Sequence, residues 1–551
     1  MSESITFKER FSDLTLRGDL LGGLTTAIIS LPLALAFGVA SGAGPQAGLY
    51  GAVIVGLFAA LFGGSRTLIS EPTGPMTVIM TAIITTMIAE DPENGLAGAF
   101  VVVLIAGLTQ ILFGVFKLGR YLTLMPYSVI SGFMSGIGVL LIIMQMPALL
   151  GQPNPGGGAL NVLIQIPQLL SQAAWQEILL GAIGMVCLFA IPKKMKRVVP
   201  PHLIALLLGT SVALIFFADV DIRRIGEIPM GLPDFRPPHL NLEKMPELVV
   251  DGIILGMLGC IDTLLTAMIA DSLTRKQHDS NRELVGQGIA NFISGLFGGL
   301  PGAGATMGTV VGIQVGARSP LAAILRALFL LIVILAIAPM LSGIPLALLA
   351  AIAVKVGIDI LDWSFLKRAH QVSRTATVIM YGVMGITVFF DLLVAVGIGV
   401  FIANVLTIEK LSRLQSSGIR AIDDTDGELP LSDEERAIFR QGQGRLLLLH
   451  LNGPMIFGVA KAISREQAAV ERANVLVLDL LDVPLLSTTV LLALENVIKD
   501  AQALDLPIFI CTPDGEAHER LKKLQVTQNP SVIFCTSRLD ALQRAVAAQP
   551  N

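Results

Sequence analysis

The architecture of this chain is set by two short stretches, SEPTGPMT (residues 70–77) and PGAGATMG (residues 301–308). Each stretch opens an apolar segment that is too short to cross a bilayer comfortably, and the two lie at matching places in the two halves of the chain. Interrupted apolar segments in corresponding halves are typical of the binding site of a secondary transporter. The unpaired N–H groups at such helix starts, together with the helix dipoles, attract an anion.

The composition of the 551 residues indicates a membrane protein, since hydrophobic residues make up 53% and charged residues only 15%. A soluble protein carries roughly 25% charged residues. The formal net charge of −4 gives no reason to expect a nucleic-acid partner. The four cysteines have no regular spacing, so we expect buried thiols rather than disulfides or zinc ligands.

Apolar runs predict fourteen membrane segments, seven on each side of a polar connection at 219–246. An odd number of segments per half forces the second half to run inverted relative to the first. The predicted fold is therefore an α-helical polytopic membrane protein, a 7+7 inverted repeat (about 20–217 and 248–408) with a core bundle and a gate bundle. The segments lie near 20–43, 46–64, 73–89, 95–116, 126–146, 177–191, 201–217, 248–270, 284–300, 305–316, 321–341, 345–361, 376–389 and 391–408.

The distribution of basic residues predicts that residues 1–19 are cytoplasmic, because the outer loops at 89–95 and 147–176 then contain no Lys or Arg. The connection at 219–246 is the exception, with four basic residues on the outer side. The inner-loop cations are Lys117, Arg120, Lys193, Lys194, Lys196, Arg197, Arg275, Lys276, Arg282, Lys367 and Arg368.

The chain changes character after residue 408. Residues 409–443 are charged and polar, and we expect a cytoplasmic linker there. Residues 444–551 alternate strands with helices, which predicts a small α/β domain with its own core and a cytoplasmic C-terminus. The predicted strands are 445–451, 474–480, 507–511 and 532–534, and the predicted helices are 456–472, 488–504, 516–524 and 537–547.

Several long blocks resemble the SulP anion transporter family, and the C-terminal α/β unit resembles a STAS domain. Within the family the likeness is closest to the sodium-dependent bicarbonate transporters. It implies Na⁺/HCO₃⁻ symport by alternating access in the plasma (inner) membrane, and a homodimer formed through the STAS domain. The blocks are GDLLGGLTTAIISLPLALAFGVASGAGPQAGLYGA (18–52), ISEPTGPMTV (69–78), MPYSVISGFMSGIG (125–138), LGMLGCIDTLLTAMIADSLTR (255–275), NRELVGQGIAN (281–291), GAGATMGTVV (302–311), ILDWSFLKRAH (360–370) and LNGPMIFGVAKAI (451–463).

Asp262 lies in the middle of an otherwise apolar segment, with Thr266 one turn later on the same helix face. A lone carboxylate there costs about 2.5–3.5 kcal/mol, so it usually has a partner or lies on a functional pathway. Sodium is a suitable partner because it prefers oxygen ligands. The resemblance implies a sodium site formed by Asp262, Thr266, Gly304 and Thr306. Two alternatives stay open, a structural hydrogen-bonded carboxylate and a carboxylate that carries a proton.

We expect the anion between the two helix starts, where Thr73 and Thr306 offer hydroxyls and Gly74, Ala305 and Thr306 offer N–H donors. The two threonines could also simply cap their helices, which is compatible with ligand binding. In some animal members of the family an arginine follows the second start, whereas residues 307–308 here are Met and Gly. We infer that the cation supplies the missing charge, so that the two ligands bind cooperatively.

Three further polar positions have two interpretations each. Glu71 is either structural or functional, and Lys355 either has a structural role, reaching toward the interface or forming an ion pair, or binds substrate. Ser487 or Thr488 matches a serine that is phosphorylated in some STAS relatives, although an ordinary helix N-cap is the simpler interpretation.

Two other functions stay open from the sequence. The same fold could carry sulfate or another small anion, with a proton in place of sodium. Alternatively, the chain could be a membrane-anchored regulatory module whose STAS domain is the active part. We do not expect an enzyme, because the membrane part lacks a nucleophile–base pair or a metal triad, and we expect no cofactor beyond the coupling ion.

Overall fold

The computed structural model of the protein describes residues 14–549 apart from 120–125, 157, 192–199, 227, 229–230, 236–243, 391, 417–418, 423–430, 456–459 and 466–469. The chain divides into two compact units, Met1–Val400 and Phe401–Asn551. The predicted inner cations Arg120, Lys193, Lys194, Lys196 and Arg197 lie outside the described residues, as does most of the predicted N-terminal segment.

The first unit is built mainly from helices, the last of which, α16, continues past Val400, and each of the predicted membrane segments overlaps one of these helices. Two helices, α6 and α14, fall in stretches that the apolar runs leave as loops, because one is short and interrupted by polar residues and a proline, and the other carries three basic side chains. The helices are α1 (Leu16–Ala40), α2 (Pro45–Phe62), α3 (Gly74–Glu90), α4 (Gly95–Val115), α5 (Tyr127–Leu149), α6 (Gly158–Ser171), α7 (Trp175–Ala190), α8 (Pro201–Phe216), α9 (Met245–Thr274), α10 (Ser280–Leu296), α11 (Thr306–Val315), α12 (Leu321–Ala336), α13 (Leu346–Ile360), α14 (Trp363–Val372), α15 (Arg374–Phe389) and α16 (Leu392–Ser416).

Five of the described helices, α1, α2, α4, α5 and α9, are long and apolar enough to cross a bilayer alone. The pair α6 and α7, bent by 118°, would make a sixth span. Shorter apolar helices include α3 and α11, the two that the interrupted segments predict. The helical multi-pass architecture is thus as predicted, while the count of fourteen spans stays a prediction.

The two interrupted segments meet at their starts. Strand β1 (Ser70–Glu71) pairs antiparallel with strand β2 (Ala303–Gly304), and each strand leads into its short helix, α3 or α11. A Cβ added at Gly302 would lie 2.6 Å from the Glu71 carbonyl oxygen, so only glycine permits this approach. The antiparallel crossing brings the two helix starts together, as the inverted repeat requires.

The unwound backbone before β2 is satisfied by side chains. The Asn291 amide donates to the Gly302 carbonyl (2.9 Å) and accepts from the Gly302 N–H (2.7 Å), and Gln287 also donates to that carbonyl (3.0 Å). Backbone polar groups at membrane depth need such partners. Around this crossing, α4 packs on α9 and α10, whereas α5 packs on α13 and α15, which gives the two bundles that the repeat predicts.

Three of the four cations of the 219–246 connection lie in the described residues, and each has a partner. Arg223 forms a salt bridge with the buried Glu177 (3.2 Å), and Lys244 forms one with Glu90 (2.7 Å). Arg224 donates to the carbonyl of Phe217 (3.2 Å). Arg223 and Lys244 therefore have acidic partners, whereas Arg224 donates to a backbone carbonyl.

The second unit is an α/β domain with a five-stranded sheet in the order β3-β4-β5-β6-β7, in which β3 is antiparallel to β4 and the other pairings are parallel. Side chains alternate along the strands, so one face packs under α18, α19 and α20, and the other packs under α17 and α21. The strands are β3 (Ile419–Ile422), β4 (Leu446–Asn452), β5 (Val475–Asp482), β6 (Ile508–Cys511) and β7 (Val532–Cys535), and the helices are α17 (Asp433–Gln441), α18 (Ala460–Arg465), α19 (Thr488–Ala503), α20 (Glu516–Lys522) and α21 (Arg538–Ala547).

The stretch predicted as a linker, 409–443, differs from the expectation. It contains β3, which completes the sheet beside β4, and α17, whose buried Phe439 joins the core. The folded unit therefore begins before residue 444.

Only part of the predicted helix 456–472 lies in the described residues. Ser487 caps α19 by accepting from the Val490 N–H (3.4 Å), and Thr488 accepts from Arg520 (3.0 Å).

Candidate anion and cation site

A cavity of about 510 Å³ lies where the starts of α3 and α11 face α13. Its wall includes all four residues predicted for the anion, Thr73, Gly74, Ala305 and Thr306, and three of the four predicted for the cation, Asp262, Gly304 and the shared Thr306. Apolar side chains of α1, α5 and α13 also line it, namely Leu33, Phe37, Met134, Val356 and Ile360, and so do two further carboxylates, Glu71 and Asp359. A mostly apolar cavity with a few convergent polar groups is typical of a small-ligand site.

Thr73 and Asp262 join the two predicted sites directly. The Thr73 Oγ1 donates to Asp262 Oδ2 over 2.8 Å, and the two residues are only 8% and 5% exposed. Thr73 occupies the N-cap position of α3, yet its side chain makes no capping bond. Among the residues that the structure describes, no basic side chain pairs with Asp262. Its charge therefore has only a neutral hydroxyl as a partner.

The other predicted sodium ligands are in mutual contact. The Thr266 hydroxyl donates to the Gly304 carbonyl (2.8 Å) and lies 2.9 Å from the Thr306 hydroxyl. The Gly304 N–H donates to Thr263 (3.1 Å), which ties β2 to α9. A carboxylate, two hydroxyls and one carbonyl form an all-oxygen set, the kind that a hard cation such as Na⁺ prefers.

The backbone donors at the helix starts are fewer than predicted. The Ala305 N–H donates to the Ile69 carbonyl (2.7 Å) and so is not available to an anion. The first helical bonds are Thr77 N–H to Thr73 and Thr309 N–H to Ala305. The N–H groups that precede these bonds have no hydrogen-bond acceptor in the described part of the chain. They belong to Gly74, Met76, Thr306, Met307 and Gly308. Helix starts leave such donors unpaired in general.

Arg326, which does not line this cavity but holds residues of β1, is omitted by the sequence prediction. It is fully buried (0% exposed), and it donates to Glu71 Oε2 (2.9 Å), to the Ser70 carbonyl (2.9 Å) and to Ser30 (3.0 Å). Glu71, which lies in β1 and lines the cavity, is thus paired with Arg326. The rule that singles out Asp262, a charge inside an apolar helix, applies equally to Arg326 and would have found it.

A second cavity, of about 600 Å³, also reaches Asp262 and Thr306. Asp362 lies in its wall and accepts from Tyr127 (2.7 Å) and Ser131 (2.8 Å), a cluster that was not predicted. Asp262 and Thr306 therefore border both cavities. Lys355 forms an ion pair with Asp359, which agrees with its structural interpretation.

The sulfate permease family matches residues 16–383, and the STAS domain matches residues 438–538. The bicarbonate transporter BicA of Synechocystis sp. is 54% identical over 545 residues, which are 99% of this chain and 96% of that protein.

Two solved structures are similar to this chain. The transmembrane domain of a cyanobacterial bicarbonate transporter BicA is 57% identical, with a TM-score of 0.67, over 70% of this chain and 98% of that one. The overall structure of SLC26A9 has a TM-score of 0.82 at 16% identity, over 96% of this chain and 90% of that one, which supports the fold alone.

Proposed function

We propose that this chain, which belongs to the sulfate permease family of membrane transporters, takes up bicarbonate together with sodium across the plasma (inner) membrane. The observation that carries the proposal is the hydrogen bond from Thr73 to Asp262, which connects the anion-binding helix start to a carboxylate with no basic partner among the described residues. The relative named as a bicarbonate transporter supports the choice of anion.

Sodium would be held by Asp262, Thr266, Gly304 and Thr306, and bicarbonate by the Thr73 hydroxyl with the N–H groups of Gly74 and Thr306. A carboxylate beside the anion site repels an anion when no cation is bound. A bound sodium removes that repulsion and adds positive charge, so each ligand raises the affinity for the other. Coupling of this kind is typically worth about 1–3 kcal/mol.

The cavity lies between α3, α9 and α11 on one side and α5 and α13 on the other. Movement of the first group against the second would expose the site alternately to the two faces of the membrane. The inner-loop cations support an orientation with both termini in the cytoplasm.

Reconstituted uptake tests the proposal. Proteoliposomes containing the full chain should accumulate labelled bicarbonate under an inward sodium gradient, and labelled sulfate should not compete at similar concentration. Bicarbonate uptake that is equal with and without sodium, or a preference for sulfate, would contradict it and favour the alternative small-anion transporter. A folded chain that transports neither anion would favour the regulatory module.

Thr306 is shared by the two proposed ligand sites, so we expect Thr306→Ala to weaken both. Loss of one hydroxyl ligand removes about 0.5–1.5 kcal/mol of interaction, so half-maximal uptake should need roughly 2- to 10-fold more sodium and more bicarbonate. Initial rates measured over a grid of both concentrations give the two values. Thr306→Ser keeps the hydroxyl and is the matched control. A change confined to one ligand would refute a shared role.

We also propose a homodimer formed through the STAS domain. A chain that ends after Glu409 should run as a monomer by light scattering in detergent, whereas the full chain should run as a dimer. Because the site lies in the first unit, sodium-dependent binding of bicarbonate should persist in the truncated chain. A truncated protein that remains a monodisperse dimer would place the contact in the membrane unit instead.

A further inference from the structure

The transport cavity contains a carboxylate that neither the proposed sodium site nor the proposed bicarbonate site uses. Three carboxylates line this cavity, those of Glu71, Asp262 and Asp359. Asp262 is proposed to bind sodium, and Glu71 pairs with the buried Arg326. Asp359 is the most exposed of the three, since 36% of its side chain is accessible, against 4% of the Glu71 side chain. It is therefore the carboxylate that a ligand in the cavity reaches most easily.

Asp359 belongs to α13, the helix that faces the starts of α3 and α11. Val356 and Ile360 of the same helix also line the cavity, and residues three or four positions apart lie on one helix face. A Cβ added at Gly74 would lie 2.6 Å from Ile360 Cδ1 and 3.8 Å from Val356 Cγ1, so this turn of α13 packs directly against the start of α3. An anion held at the start of α3 is thus close to the turn that carries Asp359.

The charge of Asp359 is balanced by Lys355, one helical turn earlier. The Lys355 Nζ donates to both carboxylate oxygens of Asp359. A carboxylate can accept up to about four hydrogen bonds, so Asp359 keeps the capacity to accept from a ligand as well. Because the pair is neutral as a whole, Asp359 can lie beside a monovalent anion without the full repulsion of two like charges.

The chemistry of bicarbonate calls for such an acceptor. Near neutral pH bicarbonate has one O–H group, whereas nitrate and sulfate have none. The N–H donors of the helix starts suit the other two oxygens of bicarbonate but not its O–H. The Thr73 hydroxyl gives its hydrogen to Asp262, which leaves it as a neutral acceptor. A carboxylate is the stronger acceptor, because hydrogen bonds to an ionised group are roughly twice as strong as neutral ones.

We propose that Asp359 accepts a hydrogen bond from the O–H of bicarbonate held at the helix starts, and that it thereby selects this anion over nitrate and sulfate. A site that bonds the O–H of its substrate discriminates against analogues that lack this group. Nitrate in the same place would turn an oxygen toward the carboxylate, and sulfate would add a second negative charge. This inference rests on the proposed function and names the feature of bicarbonate that the site recognises.

Nitrate is the sharpest probe, because it is planar and monovalent like bicarbonate and lacks the O–H. Proteoliposomes containing the full chain take up labelled bicarbonate under a sodium gradient, with and without added nitrate. The half-maximal concentration of bicarbonate and the inhibition constant of nitrate give a selectivity ratio, which does not depend on the amount of folded protein. The ratio should favour bicarbonate in the unaltered chain, and Asp359→Asn should reduce it by about tenfold or more, as expected for loss of a charge-assisted hydrogen bond.

Lys355→Met is the matched variant, since it breaks the same ion pair but keeps the carboxylate. It should weaken the binding of both anions alike and leave their ratio nearly unchanged. An unchanged ratio in Asp359→Asn, which would mean that the O–H is accepted elsewhere, or an equal fall in Lys355→Met overturns the inference and leaves the proposed function standing. So does an unaltered chain that takes up bicarbonate but does not prefer it to nitrate. Absence of sodium-driven bicarbonate uptake would contradict the proposed function, and this inference with it.

Discussion

Replacing Asp262 with asparagine is expected to abolish the stimulation of bicarbonate uptake by sodium. Asparagine keeps the size of the side chain and can still accept from Thr73, so the change removes mainly the charge. At an effective dielectric constant of about 20, a pair of unit charges 4 Å apart interacts by about 4 kcal/mol. Half-maximal uptake should therefore need at least about 100-fold more sodium.

The measurement is the initial rate of labelled bicarbonate uptake by proteoliposomes over a range of sodium concentrations. Asp251→Asn is the matched control, because Asp251 lies on the same helix, α9, but does not border either transport cavity. It should leave the sodium dependence in place. If Asp262→Asn behaves like the control, Asp262 does not bind the coupling ion. If protons rather than sodium drive uptake in the unaltered chain, the alternative role of Asp262 as a proton carrier is favoured.

The parts of the site that the sequence predicts are those encoded by local pattern. Proline and glycine interrupt the two apolar segments at their starts, and a carboxylate inside an apolar run can be recognised from the sequence alone. Thr73, Thr306 and Asp262 are found in this way, and the structure brings them to one cavity. A sequence pattern does not identify the hydrogen-bond partner of each backbone N–H or carbonyl group. The Ala305 N–H donates to the Ile69 carbonyl, and so is not available to an anion, because β1 and β2 pair across the two halves of the chain.

The residues and secondary-structure elements that the sequence prediction omits are hidden for similar reasons. Arg326 and Glu71 are 255 residues apart in sequence, so neither predicts the other. The strand β3 is only four residues long and is stabilised by its pairing with β4, so its own sequence gives little signal. Helix α14 is amphipathic and carries three basic residues, which excludes it from any count of apolar runs.

The buried pair of Arg326 and Glu71 gives the second large expected effect. Arg326→Met should destabilise the first unit by about 3–5 kcal/mol, because it leaves the carboxylate of Glu71 buried without its counter-charge. Arg326 also holds the Ser70 carbonyl, so β1 and the start of α3 lose a fixed position as well. Thermal unfolding of the purified chain in detergent should show a markedly lower midpoint, together with loss of uptake.

A double-variant cycle separates the charge effect from simple loss of packing. Glu71→Gln added to Arg326→Met removes the stranded charge, so the double variant should unfold at a higher temperature than Arg326→Met alone. Lys244→Met breaks the more exposed pair with Glu90 and should change the midpoint little, since such pairs contribute little. If Arg326→Met were no worse than Lys244→Met, the buried pair would not stabilise the crossing. If the double variant regained stability but not uptake, Arg326 would be needed to position β1 and the anion site as well as to balance the charge of Glu71.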